Sequence, residues 1–427
     1  MKKMHLVGLN HSGPLVGGWR HPEAHADYLD PACWDRVART LENGRFDAIF
    51  FADAQTFYNE QMTRKGGDVY LLDPVPLAMS VARATEKLGI GITISTSLFE
   101  PFGIARALGT LDVLSGGRIA WNVVTSVSDQ EAHRYGMPGL LPKNERYDRA
   151  DEVIEACMQL WDSFPPDALV ADKKRGLFID PDKLVHLTYE GKHVKTEGPL
   201  TVPPSPQGRP VIMQAGSSER GRQFAARWAE ILFTYQHSLA NMQAFYKDMH
   251  GRMAAFGRPA NACAILPSFQ PIVGETRSIA KEKQAYLYSL VDDDVALART
   301  SMSIGFDLTK LKPGMSLGDL SAEGGSSGAM DILKIAAAGE NLSIVEAARR
   351  YACNALCPEI VGTAEDIADW MGGIFRADGC DGFVVMSTTS PSAMETFTRS
   401  VVPILQERGL FRTEYEGNTL RSHLNES

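Results

Sequence analysis

Small and hydroxylic residues gather in one stretch, Gln214-Ala215-Gly216-Ser217-Ser218-Glu219-Arg220-Gly221-Arg222, directly after an apolar run at 211–213. Glycine lets a backbone come close to a ligand, and serine hydroxyls beside the free amides of a helix N-terminus suit a phosphate. Simple capping of the following helix by Ser217 or Ser218 is the plainer alternative. A second candidate is Asp53, which ends the run Phe50-Phe51-Ala52 and could accept hydrogen bonds from a bound ring or polyol, or cap a helix. Thr96, within Ser95-Thr96-Ser97, and Asn122 occupy the same kind of position at the ends of two later apolar runs. The loop 10–30 adds His11, Trp19, Arg20, His21 and His25. Pro22 interrupts the His21–His25 pair and no carboxylate stands in a metal-ligand spacing, so His11, Arg20 and His21 read as groups facing a substrate.

Eight β-type runs, at 5–9, 48–52, 89–95, 119–124, 211–215, 231–234, 265–273 and 382–387, must position these residues. Amphipathic segments at 34–43, 75–86, 104–114, 149–161, 219–228, 242–256 and 363–375 separate them. A parallel strand pair needs a crossover, so this alternation predicts an α/β protein, a closed (β/α)8 TIM barrel with insertions. An open doubly wound sheet is the alternative by periodicity. In the barrel, Asp53, Thr96, Asn122 and the 214–222 stretch all fall on one face, the C-terminal ends of the strands, where barrel enzymes keep their sites. The whole chain, 1–427, then forms one domain. Residues 164–210 read as a hairpin insertion, 291–343 as a second insertion serving as a lid or partner surface, and 410–427 as a polar tail.

With 43 Lys and Arg against 52 Asp and Glu, the net charge is −9, and no basic stripe favours nucleic acid or an anionic membrane. No apolar stretch reaches the ~18 residues of a membrane span, and no signal-peptide pattern opens the chain. Six scattered cysteines suit reduced thiols in a cytoplasmic enzyme, with no metal site. Phosphate loops of the Walker type, His-Glu-x-x-His and a Gly-x-Gly-x-x-Gly turn are absent, so no nicotinamide-binding unit is expected. Gly324-Gly325-Ser326-Ser327-Gly328 fits the nucleophile-elbow pattern, but the residues before it do not form an apolar strand, and it reads as a loop.

Several segments together resemble the bacterial luciferase-like flavin monooxygenases, in the branch of nitrilotriacetate monooxygenase component A and dibenzothiophene-sulfone monooxygenase. They are residues 18–22 (GWRHP), 44–53 (GRFDAIFFAD), 111–118 (LDVLSGGR), 121–126 (WNVVTS), 145–152 (ERYDRADE), 214–222, 360–363 (IVGT), 381–383 (DGF) and 402–412 (VPILQERGLFR). The resemblance spans nearly the whole chain. It implies that FMN binds at the strand ends, with Asp53, Thr96 and Asn122 near the ring and ribityl chain. Tyr147, Ser217 and Ser218 would hold the phosphate. Lys143 stands where relatives often carry histidine, and could contact phosphate only as a point charge.

The resemblance also implies chemistry in which reduced FMN, supplied by a separate NAD(P)H-dependent flavin reductase, forms a peroxyflavin with O2. One oxygen atom then passes to a small organic substrate, such as a chelate, a sulfone or another nitrogen or sulfur compound. A homodimer or homotetramer is the implied assembly, with 291–343 and 410–427 as candidate interfaces. The alternatives are a flavin-binding protein without catalysis, or a barrel hydrolase or isomerase that uses Ser217 and Ser218 for a substrate phosphate.

Overall fold

Eight strands close into a parallel barrel in this computed structural model, which describes residues 2–425 other than 12, 26, 68, 217, 305, 306, 309–341, 355 and 356. They are β1 (His5–His11), β2 (Ala48–Ala52), β3 (Gly89–Ser95), β4 (Ile119–Val124), β5 (Val211–Ala215), β6 (Ile231–Thr234), β7 (Ala264–Val273) and β8 (Gly382–Met386). Each pairs in parallel with its sequence neighbour from β1 to β7; β7 and β8 pair at Ser268 and Phe269, and β8 pairs back with β1. The open-sheet alternative is thereby excluded. A short strand, Glu359–Gly362, adds to the outer part of β7.

Eight helices cover the outside: α1 (Pro31–Asn43), α2 (Pro74–Ala84), α3 (Pro101–Leu114), α4 (Lys143–Asp162), α5 (Glu219–Trp228), α6 (Leu239–Ala255), α7 (Ala364–Arg376) and α8 (Ser392–Glu407). Their starts are written in caps. Asp30 and Asp73 each accept a hydrogen bond from a first-turn amide of α1 and α2, and proline follows each cap. Thr363 and Asp366 form a capping box at α7.

Alternation along the strands divides the core. Ile90, Ile92, Ile49 and Phe51 point outward into the layer shared with the helices. Val7, Phe50, Ala120, Met213, Phe233, Leu266 and Val384 fill the barrel itself. Between α4 and β5 lie two small hairpins, Leu169–Asp172 with Leu177–Ile179 and Thr188–Glu190 with Lys195–Glu197, where one was expected. The second insertion contributes the helix Asp293–Ile304, packed on Ile344–Asn354 through Ala296, Ala348 and Ala352. Its Gly/Ser-rich part, including the elbow-like 324–328, lies outside the described residues. Among the described residues no helix is long and apolar enough to cross a membrane.

The end of the chain is not a loose polar tail. Leu410, Phe411 and Leu420 are buried, and Leu420 joins the barrel-interior cluster from below. Its methyl groups lie where a side chain on Gly89 would have to go. The Arg421 guanidinium grips Glu230 through Nε and Nη2, at 2.7 and 2.9 Å. Segment 410–425 therefore closes the N-terminal mouth of the barrel, with Thr413, Glu414, Glu416 and Asn418 left exposed on its outer side.

Candidate active site

The C-terminal ends of β2 to β5 enclose an open cleft of about 230 Å³. Asp53, Tyr147, Gln214, Ser126, Glu131 and Tyr58 line it. Each is delivered by the fold: Asp53 by the residue after β2, Ser126 by the turn after β4, Tyr147 by the first turn of α4, and Gln214 by the end of β5.

Hydroxyl groups knit the rims of β3 and β4. Ser95 Oγ lies 2.8 Å from Ser126 Oγ, and Ser97 donates to the Thr125 carbonyl at 2.8 Å. Ser126 holds φ at 55°, a left-handed conformation that a non-glycine residue adopts only when its surroundings enforce it. One turn lower, Phe51 O accepts from Thr93 Oγ1 at 2.8 Å, and Thr93 Oγ1 accepts from Asn122 Nδ2 at 2.9 Å. That chain fixes which end of the Asn122 amide is oxygen, because the Thr93 hydrogen is already spent. Asn122 Oδ1 is left as a buried acceptor with no partner among the described residues. An orphan of this kind costs stability of the order of 1–3 kcal/mol unless a ligand or water satisfies it.

At the other end of the cleft, Ser218 caps α5 by accepting from Gly221 N at 3.2 Å, and its side chain hydrogen-bonds Tyr147. Gly221 permits a close approach here: a methyl group on it would lie only 2.9 Å from Tyr147 Oη and 3.0 Å from Ser218 Oγ. The Arg220 guanidinium sits 5.5 Å over the Tyr147 ring. Burial raises the Tyr147 pKa, against the lowering effects of Ser218 and Arg220, so the phenol keeps its proton and can donate. One residue away, Arg146 Nε is buried without a partner among the described residues.

Asp53 is the electrostatically unusual member. Burial raises its pKa to about 6; a hydrogen bond from Gln55 opposes the rise, while the charges of Asp73 and Glu131 add to it.

The sequence-derived candidates thus separate into groups. Asp53 and Tyr147 line the cleft; Asn122 lies inside the barrel beneath it, and Ser218 joins through Tyr147. Thr96 is fully buried at the same rim, with its hydroxyl committed to Val124 O at 3.1 Å. Lys143 is exposed at the first position of α4. Arg20 donates to Leu290 O at 2.9 Å, and His21 meets Tyr286 edge-on at 5.4 Å, so both face the helix Arg277–Ser289 and not this cleft. His11 ends β1, beside Ala52. Ser217 lies outside the described residues. Sequence reasoning gave no role to Ser126, Glu131 or Arg146; Ser126 and Arg146 sat inside quoted segments, but a positive φ and an orphaned Nε are not legible there.

The family model described as luciferase-like monooxygenase matches residues 16–382. The chain belongs to the luciferase-like monooxygenases. Dibenzothiophene-sulfone monooxygenase of Rhodococcus erythropolis (strain XP) is 40% identical over 437 residues, covering 99% of this chain and 96% of the relative. Nitrilotriacetate monooxygenase component A of Aminobacter aminovorans is 38% identical, with 97% and 94% covered. The crystal structure of DmoA from Hyphomicrobium sulfonivorans superposes with a TM-score of 0.93 at 31% identity, covering 99% of this chain and 92% of DmoA. This luciferase-like monooxygenase is a flavin-dependent enzyme on a TIM barrel. The residues at its cleft fit a flavin nucleotide: Tyr147 and Ser218 meet at the N-terminus of α5, an end that favours phosphate, and the orphaned Asn122 acceptor suits a ring or ribityl donor.

Proposed function

We propose that the chain is the oxygenase of a two-component system, binding reduced FMN that a separate NAD(P)H-dependent flavin reductase delivers. The reading rests on one observation above all: a buried phenol and a serine hydroxyl meet at a helix N-terminus, where Gly221 lets them approach closely. Tyr147, Ser217 and Ser218 hold the phosphate end. Asp53, Thr96 and Asn122 lie toward the ring and ribityl chain. Lys143 contributes only a solvated charge near the phosphate. When bound, the reduced flavin supplies the activation of O2 and the oxygen atom that is transferred.

The protein's own part is positional. Asn122 presents a fixed acceptor, Tyr147 and the α5 amides present donors, and the Ser95–Ser126 contact holds the rim. Together they keep the cofactor in one pose and limit water at its reactive edge. The substrate is a small organic nitrogen or sulfur compound, the class to which the sulfone and nitrilotriacetate of the relatives' names belong. Assembly as a homodimer or homotetramer in the cytoplasm completes the proposal.

Two measurements test it. Anaerobic titration with reduced FMN, followed by admission of O2 in a stopped-flow instrument, should show saturable binding. A transient absorbing species should then appear that free reduced FMN does not give. The chain alone should not oxidise NADH, whereas adding a flavin reductase and FMN should support oxygen uptake. Reoxidation identical to that of free FMN would sink the proposal.

A further inference from the structure

Gln214, near the end of β5, is the most deeply buried polar residue lining the cleft, at 2% exposure. Its Oε1 has no hydrogen-bond partner among the described residues. Strand alternation shows where the amide lies. Met213 fills the barrel interior, so Gln214 turns to the outer side of the strand. Tyr147, in the first turn of α4, lines the cleft with it. Asn122, inside the barrel, is the register partner of Met213. The two orphaned amides thus flank the β4–β5 pair from opposite faces.

Two glycines bring the Gln214 amide next to Tyr147 and Ser218. A methyl group on Gly216 would lie 2.9 Å from Gln214 Oε1 and nearer still to Nε2. The chain can fold back over the amide only because residue 216 has no side chain. Gly216 in turn packs against Gly221. There an added methyl would lie 3.4 Å from Gly216 Cα and 2.9 Å from Tyr147 Oη. Amide, glycine pair and phenol are therefore contiguous.

We propose that Gln214 binds a hydroxyl of the polyol chain between the phosphate and the ring of the flavin, and so selects ligands that carry this chain. The inference rests on the flavin reading above. A ligand with its phosphate at Tyr147 and its ring toward Asp53 passes this amide with the stretch between, which in FMN is the ribityl chain. A hydroxyl is the ligand group whose chemistry fits. Oε1 needs a donor, which a phosphate dianion and the dimethylbenzene edge of the ring lack. Turned over, the amide would place Nε2 at the same spot. A hydroxyl, which both donates and accepts, serves there as well.

Riboflavin and lumiflavin test the idea, because both carry the ring and lack phosphate, and only riboflavin has the polyol. In anaerobic fluorescence titrations of the full chain, reduced riboflavin should bind at least about tenfold more tightly than reduced lumiflavin. Gln214→Met, similar in length but without the amide, should weaken riboflavin and FMN by about tenfold and leave lumiflavin unchanged. Without ligand, its melting temperature should equal or exceed that of the wild type, since an unpaired buried amide has been removed. A purely structural glutamine would give the opposite. Gln214→Glu, which keeps an acceptor, should retain the preference for riboflavin over lumiflavin. Equal wild-type affinities for the two, a parallel loss of both in Gln214→Met, a lower melting temperature with riboflavin affinity intact, or loss of the preference in Gln214→Glu would overturn the proposal. No saturable binding of any reduced flavin by the wild type would refute the flavin assignment, and this inference with it. Normal wild-type binding, with the riboflavin preference intact in Gln214→Met, would refute this inference alone.

Discussion

The two mouths of the barrel are built on opposite principles. At the N-terminal mouth, Leu420 plugs the interior, Asp47 pairs with Arg412, and Arg421 pairs with Glu230. Asp47, fully buried, accepts from Arg412 at 2.9 Å, His5 Nδ1 at 2.9 Å and Leu6 N at 2.8 Å. At the C-terminal mouth, Asn122 and Gln270 each present a buried acceptor with no partner among the described residues, and Asp53 is a half-buried carboxyl. The first end stabilises the fold, and the second presents groups to ligands.

The largest effect that would test this division is at Asp47. Burial alone would raise its pKa, but Arg412, His5 and the Leu6 amide hold it well below the usual carboxylate range. Asp47→Ala strands a buried guanidinium, so we expect a loss of about 3–5 kcal/mol of unfolding free energy. Urea denaturation should show the shift in midpoint, while the affinity of the remaining folded protein for reduced FMN stays unchanged. A matching fall in FMN affinity would mean that the two mouths are not separable.

Ser218→Ala should do the reverse. Removing the hydroxyl that we propose meets the phosphate should raise the Kd for FMN by about 10- to 100-fold. The lost helix cap costs only about 1 kcal/mol of stability. Fluorescence titration beside thermal melting reads the two effects, and stability loss without loss of affinity would reduce Ser218 to a cap.

The barrel was legible in the sequence because each strand is a short apolar run bounded by a turn, and five runs, those of β2 to β6, match the observed strands residue for residue. Helix starts were read late at α1, α3 and α4 by three to six residues. Proline at the first helical position and an exposed polar first turn look like loop in a periodicity scan, although both are regular ways to begin a helix. Segment 410–425 was misjudged for a related reason. Its polar residues outnumber Leu410, Phe411 and Leu420, and only the fold shows that these few close the barrel. Asp53, Asn122, Tyr147 and Ser218 could be found because residue type and strand-end position mark them. Gln270 could not, since an interior glutamine on a long apolar strand becomes informative only when its two carbonyl partners, Cys353 O and Ser387 O, are seen.

The smallest and most selective test concerns Asp53. A carboxyl with its folded pKa raised to about 6 keeps its proton in the native state while the unfolded chain releases it near 3.9. The native protein therefore binds more protons between those values, and its stability falls as pH rises from about 4 to 6 and then levels. Asp53→Asn lacks this step, so its stability relative to wild type should grow across that window and stay constant above it. Flavin affinity should follow the same titration in the opposite sense, rising in the wild type as the ionised carboxylate becomes the better acceptor, and staying flat in the variant. FMN alone cannot show this cleanly, because its phosphate also titrates near 6. Riboflavin has no phosphate, so a pH step that persists with riboflavin and disappears in Asp53→Asn belongs to the carboxyl. A step present in both proteins with FMN and absent with riboflavin would assign the titration to the phosphate and remove Asp53 from the ligand's neighbourhood.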